Sequence, residues 1–121
     1  MSINRVDVQQ AVKEVARFVA EPNEGAWIML KRLFRYLVDH GRLVQVTSEQ
    51  RYVKAPRVDT DSDYAGCVLT RKSTTCAHLF HGVNLIKAGS WTQGSRSLSV
   101  AESKFYAGVK GASILLGAKT L

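Results

Sequence analysis

The chain has 121 residues, enough for one ordinary domain or two partial ones, and at that length only about two-thirds of the unfolded surface can be buried. Seventeen Lys and Arg against ten Asp and Glu give a net charge of +7, which favours a polyanionic partner over an acidic protein surface. There is no apolar run of about 18 residues to span a bilayer, and the first residues lack the basic-then-apolar order of a secretory signal, so an intracellular setting without a membrane is expected.

In chain order, Val8, Val12, Val15 and Val19, with Ala11, Ala16 and Phe18 beside them, recur at helical spacing and predict a helix over 5–20 that Pro22 ends. A second helix should begin near Asn23 or Glu24, with Trp27, Leu30, Leu33, Phe34 and Leu37 on one face and Gly41 as its stop. The two read as an antiparallel pair joined by 21–23. Lys31, Arg32, Arg35, Arg42, Arg51, Lys54 and Arg57 face only Asp39 and Glu49, a patch that is either a solvated face or a surface for a polyanion. Beyond Gly41, the stretches 42–46 and 51–54 suit strands around a turn, or equally a linker.

Next comes the run Val58-Asp59-Thr60-Asp61-Ser62-Asp63-Tyr64-Ala65-Gly66. If 58–63 is a strand, its three carboxylates project from one face and ask for a cation such as Mg2+. The alternative is a solvated acidic turn. An EF-hand loop is excluded, because counting from Asp59 puts Tyr64 where glycine is needed and Thr70 where glutamate is needed. Strands over 76–80 and 83–91, with a turn at His81-Gly82, complete a three-strand meander. Ser99-Val100-Ala101-Glu102 is a capping-box spacing that opens a final helix. Ala101, Phe105, Val109, Ala112 and Leu116 should form its buried stripe, with Gly117 as the stop. Cys67 and Cys76 are too few for a four-ligand zinc site, even beside His78 and His81, and read as thiols of a reducing compartment.

Several of these segments resemble consecutive parts of copia-type (Ty1/copia) retrotransposon Pol polyproteins. Val12-Lys13-Glu14-Val15-Ala16-Arg17-Phe18, Pro22, Trp27 and Leu30-Lys31-Arg32-Leu33-Phe34-Arg35-Tyr36-Leu37 look like the end of the reverse transcriptase. Asp61-Ser62-Asp63-Tyr64-Ala65-Gly66 looks like the Asp-x-Asp-Trp-Ala-Gly opening of the ribonuclease H domain that follows. Arg71-Lys72-Ser73-Thr74 and Ser90-Trp91 match two later motifs, whereas Cys76 stands where that family usually has Gly. The resemblance implies an α+β (α/β) chain: a helical hairpin over 1–41, a connector over 42–57 and a truncated ribonuclease H-like fold over 58–121.

The parent activity implied is hydrolysis of RNA in an RNA/DNA hybrid, with clustered carboxylates holding Mg2+. Asp61 inherits the place of the first metal ligand. The family's metal-binding Glu falls on Lys104, so a ligand has become a cation, and Glu102 is a poor substitute because two residues along a helix is about 200° of rotation. Lys104 is then either a solvated flank residue or an ammonium that pairs with Asp61 in the place of the metal. Two further Asp ligands of the family lie in segments beyond 121. The expectation is an inactive polyprotein fragment whose acidic strand is an unpaired edge. The alternative is a non-catalytic nucleic-acid-binding module using Arg71, Lys72, Ser73, Gln93 and Arg96 on phosphate and 2'-hydroxyl groups. The remainder of the polyprotein is the other partner implied.

Overall fold

The computed structural model describes residues 5–119, which form two compact units, Met1–Val46 and Thr47–Leu121. In the first, a 3-10 turn, Val6–Val8, leads into α1 (Gln9–Ala16), and α2 (Glu24–Asp39) follows. The first helix is shorter than its apolar spacing predicts. It ends well before Pro22, and Val19 is left largely exposed while Val8 is buried. The start of α2 is set by Asn23, whose side chain accepts a hydrogen bond from the Ala26 backbone N–H at 2.8 Å, satisfying one of the orphan donors of the first turn. The two helices form the expected hairpin. Its apolar face is only partly used, with Trp27 and Phe34 more than half exposed.

The second unit holds a three-stranded antiparallel sheet, β1 (Arg57–Ser62), β2 (Thr74–His81) and β3 (Asn84–Thr92), in the order β1-β2-β3, followed by α3 (Val100–Lys119). Register fixes its two faces. Val58, Thr60 and Ser62 lie opposite Leu79, Ala77 and Thr75, and this face is the one covered by α3. Asp59 and Asp61 lie opposite His78 and Cys76 on the other face. Cys76 sits in regular register with Asp61 and Ser90, and the ladder slips only at Leu79/Phe80. Among the described residues β1 pairs with β2 alone, so it is an edge strand.

Two expectations are corrected here. Of the two readings left open for residues 42–46 and 51–54, strands around a turn or a linker, the strands are absent. The segment instead clasps the β2–β3 turn: Gln50 donates to the His81 carbonyl at 2.7 Å and accepts from the Val83 N–H at 3.0 Å, while Ser48 and Asn84 exchange bonds of 2.8 and 2.9 Å. Gly82 has φ +60, a backbone conformation that favours glycine, and a β-carbon there would displace the Gln50 amide from its place on the turn. The second correction concerns α3, which runs through Gly117 to Lys119. Its buried positions are Ser103, Ala107 and Gly111, not the larger apolar residues; Phe105, Val109 and Leu116 are 67%, 53% and 65% exposed. Small side chains let the helix approach β1 closely. A β-carbon on Gly111 would overlap Thr60, and Ser103 Oγ lies 2.7 Å from Ser62 Oγ and 2.9 Å from the Asp63 carbonyl. The architecture is that of the opening part of a ribonuclease H-like fold, an open sheet with one crossing helix.

Candidate functional site

The acidic strand meets the start of α3. Ser99 Oγ accepts from the Glu102 N–H at 3.1 Å, the serine half of the expected capping box, while Glu102 reaches one residue further back and accepts from the Leu98 N–H at 2.7 Å; together the two bonds fix the first helical turn. Glu102 also accepts from the Tyr106 hydroxyl at 3.0 Å, so its carboxylate is fully engaged within the helix. One residue past buried Ser103, Lys104 reaches the far face of β1 at its open edge, and its Nζ donates to Asp61 Oδ1 at 2.8 Å. That hydrogen bond, helped by a backbone bond from Ser62 and by the ammonium's charge, holds the Asp61 carboxyl below its ordinary range. Both partners are more than half exposed, so the pair is well solvated.

The neighbouring carboxylates have their own partners. Asp59 pairs with Arg57 at 3.1 Å, and Asp63 accepts from the Thr74 N–H while its own N–H donates to the Thr74 carbonyl. Among the described residues no three His, Cys, Asp or Glu side chains are grouped to hold a metal ion. The donor set therefore does not fit a Mg2+ pair: the position that would supply the second carboxylate carries an ammonium already bonded to the first.

Between β1 and β2 the chain makes a compact turn that presents Arg71 and Lys72. The Ala65 N–H donates to Ser73 Oγ at 3.0 Å, the Cys67 N–H to the Lys72 carbonyl at 3.1 Å, and the Arg71 N–H to the Cys67 carbonyl at 2.7 Å. Ala65 and Arg71 sit in the left-handed region at φ +52 and +56, a backbone cost that the surrounding bonds offset. Ser73 is wholly buried. Gln93 is buried as well, donating to Thr75 Oγ1 at 3.0 Å and to the Ser103 carbonyl at 2.9 Å, and accepting from Ser97 Oγ at 2.8 Å. Of the five residues expected to touch nucleic acid, Arg71 and Arg96 are exposed and Lys72 is half-buried. Ser73 and Gln93 hold the turn and the helix start in place instead, since their polar atoms are spent inside the unit. The Gln93 N–H bonds the Ser73 carbonyl at 2.8 Å, so both loops lie at one end of the sheet.

At the β3 side of that same end, Trp91 leans over Gly89, where a β-carbon would overlap its ring, and the Lys110 ammonium lies 5.1 Å from the indole centroid. Sequence reasoning placed Trp91 on a strand but gave Lys110 no role. A strand tryptophan and a helix lysine that meet only in the folded unit leave no local signal.

The fold and the strand–helix junction define a ribonuclease H-like fold fragment in which a lysine, not a metal-grouped carboxylate, faces the acidic strand. No family profile matches the chain, and no solved structure does. It is similar to the uncharacterized mitochondrial protein AtMg00810 of Arabidopsis thaliana, 32% identical over 110 residues that make up 88% of this chain and 44% of that protein. The chain thus spans less than half the length of the curated relative it matches.

Proposed function

We propose that this chain is a non-catalytic nucleic-acid-binding module, a fragment of a copia-type retrotransposon polyprotein whose parent domain cut RNA in RNA/DNA hybrids with Mg2+. The observation that carries the non-catalytic reading is the 2.8 Å bond between Lys104 and Asp61. An ammonium there neutralises the carboxylate that would hold the first ion, and it repels a second cation at close range. The residues proposed for nucleic acid are Arg71, Lys72 and Arg96, with Ser73 and Gln93 as the groups that position them. The charge supports this reading: in Thr47–Leu121 there are ten Lys and Arg against five Asp and Glu, and the other unit has seven against five. The end of a reverse transcriptase is the proposed origin of the helical hairpin, which packs as its own unit.

Fluorescence anisotropy with a labelled RNA/DNA hybrid and a matching DNA duplex, each over a salt series, tests binding. A preference for hybrid with a steep loss of affinity at rising salt is expected. No binding at low salt removes the module. A gel assay of the hybrid with Mg2+ tests the other half, and cleavage abolished by Asp61→Asn would restore the enzymatic reading.

A further inference from the structure

At the β3 edge, Trp91, Tyr106 and Lys110 line a concave pocket of about 410 Å³ together with exposed Thr92 and Ser95 and the buried Thr75. We propose that this pocket binds one unpaired nucleobase, stacked on the Trp91 indole, with the attached phosphate on the Lys110 ammonium. The claim rests on the nucleic-acid reading above for its biological setting only; the pocket stands or falls by its own test. Four features carry it. Gly89 has no β-carbon to push the ring away, so the indole lies against the β3 backbone and forms one wall of the pocket. The second aromatic, Tyr106, is anchored through its hydroxyl to Glu102. The lining contains hydroxyl groups and a single cation but no carboxylate, which suits a planar heterocycle joined to an anion and disfavours a cationic ligand. Lys110 already lies over the aromatic ring, and its four-carbon stem lets the ammonium yield the ring face to a base and turn to the phosphate.

The Arg71–Lys72 turn lies at the same end of the sheet. Thr92 ends β3 opposite Thr74, which follows the Arg71-Lys72-Ser73 turn, so a backbone crossing the end of the sheet could run from the turn to the pocket. Such a path favours a single-stranded segment, since a base inside a duplex cannot leave its stack without cost.

The test uses the full chain carrying Trp27→Phe, so that Trp91 is the sole indole, and titrates its emission at low ionic strength with adenosine monophosphate, adenosine, inorganic phosphate and a proline-rich decapeptide. Saturable quenching by the monophosphate is expected, weaker quenching by adenosine, and none by phosphate alone. Lys110→Gln, with an unchanged far-ultraviolet circular dichroism spectrum, should weaken the monophosphate by about fivefold or more, while adenosine, which needs only the ring face that the ammonium vacates, should bind no more weakly than to the parent. A silent monophosphate up to millimolar concentration overturns the proposal. So does a response confined to the peptide, which would make the pocket a polyproline groove, and so does a Lys110→Gln protein that binds the monophosphate as tightly as its parent. Quenching in a chain that ignores the RNA/DNA hybrid supports the pocket and removes the module reading. Hybrid binding with a silent monophosphate does the reverse.

Discussion

Asp61 and Lys104 show what one ion pair contributes at an exposed position. The Asp61 carboxyl is held below its ordinary value of 3.8, chiefly by the hydrogen bond from Lys104. A carboxylate depressed in the folded state stabilises the fold above its unfolded pKa and loses that contribution as pH falls through the folded one. The melting temperatures of the parent chain and of Lys104→Met should therefore differ most near neutrality and converge below pH 3.8, and the difference should be small and shrink with salt because both groups are solvated. Asp7 gives a sharper case in the helical hairpin: Arg5 and the Tyr36 hydroxyl bond its carboxylate at 2.8 and 3.0 Å, and its pKa falls to about 2. The hairpin should accordingly weaken between pH 3.8 and 2, followed by Trp27 emission in a Trp91→Phe background, and Asp7→Asn should flatten that acid limb. Asp61 and Lys104 were singled out in the sequence through two separate motifs, and of the two readings of Lys104, a solvated flank residue or a partner of Asp61, the folded unit makes the pairing. Ser73 and Gln93 were misread because a hydroxyl or amide can satisfy a backbone group as readily as a phosphate, and which one it meets is decided by burial.

At the scale of the element, α3 inverts the usual rule. Large apolar residues at helical spacing predict the core, yet the buried stripe is Ser103, Ala107 and Gly111. The sheet decides this. Its covered face ends in Ser62 and Thr75, whose hydroxyls need partners, and Ser103 with Gln93 supplies them. Polar residues such as Glu102, Lys104, Lys110 and Lys119 are spread around the helix among the apolar ones, so sequence periodicity gave no reliable face. Replacing Gly111 by Val should cost about 1–3 kcal/mol in a urea melt, because a β-carbon there meets Thr60 and Val58. Gly108→Ala, where the added carbon meets open space, should instead stabilise by about 0.5–1 kcal/mol. Equal effects at the two glycines would show that α3 does not pack on β1 through Gly111. The meander and the starts of α2 and α3 were readable because turns and caps are local; the early end of α1 was not, since nothing between Ala16 and Pro22 breaks a helix by itself.

For the molecule as a whole, the two units differ in charge: Met1–Val46 carries seven Lys and Arg against five Asp and Glu, and Thr47–Leu121 ten against five. The basic run at 31–57 drew attention in the sequence, yet the larger excess of cations lies in Thr47–Leu121. If the Arg71–Lys72 turn faces a polyanion, Arg71→Gln and Lys72→Gln should each lower the slope of log affinity against log salt by about one contact. Unchanged slopes would move the interface elsewhere. The order of motifs made the ribonuclease H-like topology legible, because order is a property of the chain. Which groups are left uncovered, such as Phe105, Val109 and Leu116, depends on packing between distant segments and was not.

The clasp of Ser48 and Gln50 on the β2–β3 turn closes loops of 36 and 31 residues. Ends so far apart in the chain meet only after the hairpin they grip has formed, which makes the clasp a late event in assembly and an early one in disassembly. Native-state hydrogen exchange should therefore find the Ser48 and Val83 amides protected, yet opening well before Ala77 at the centre of β2. A stretch without helix or strand would then act as the latch whose release begins the unzipping of the sheet.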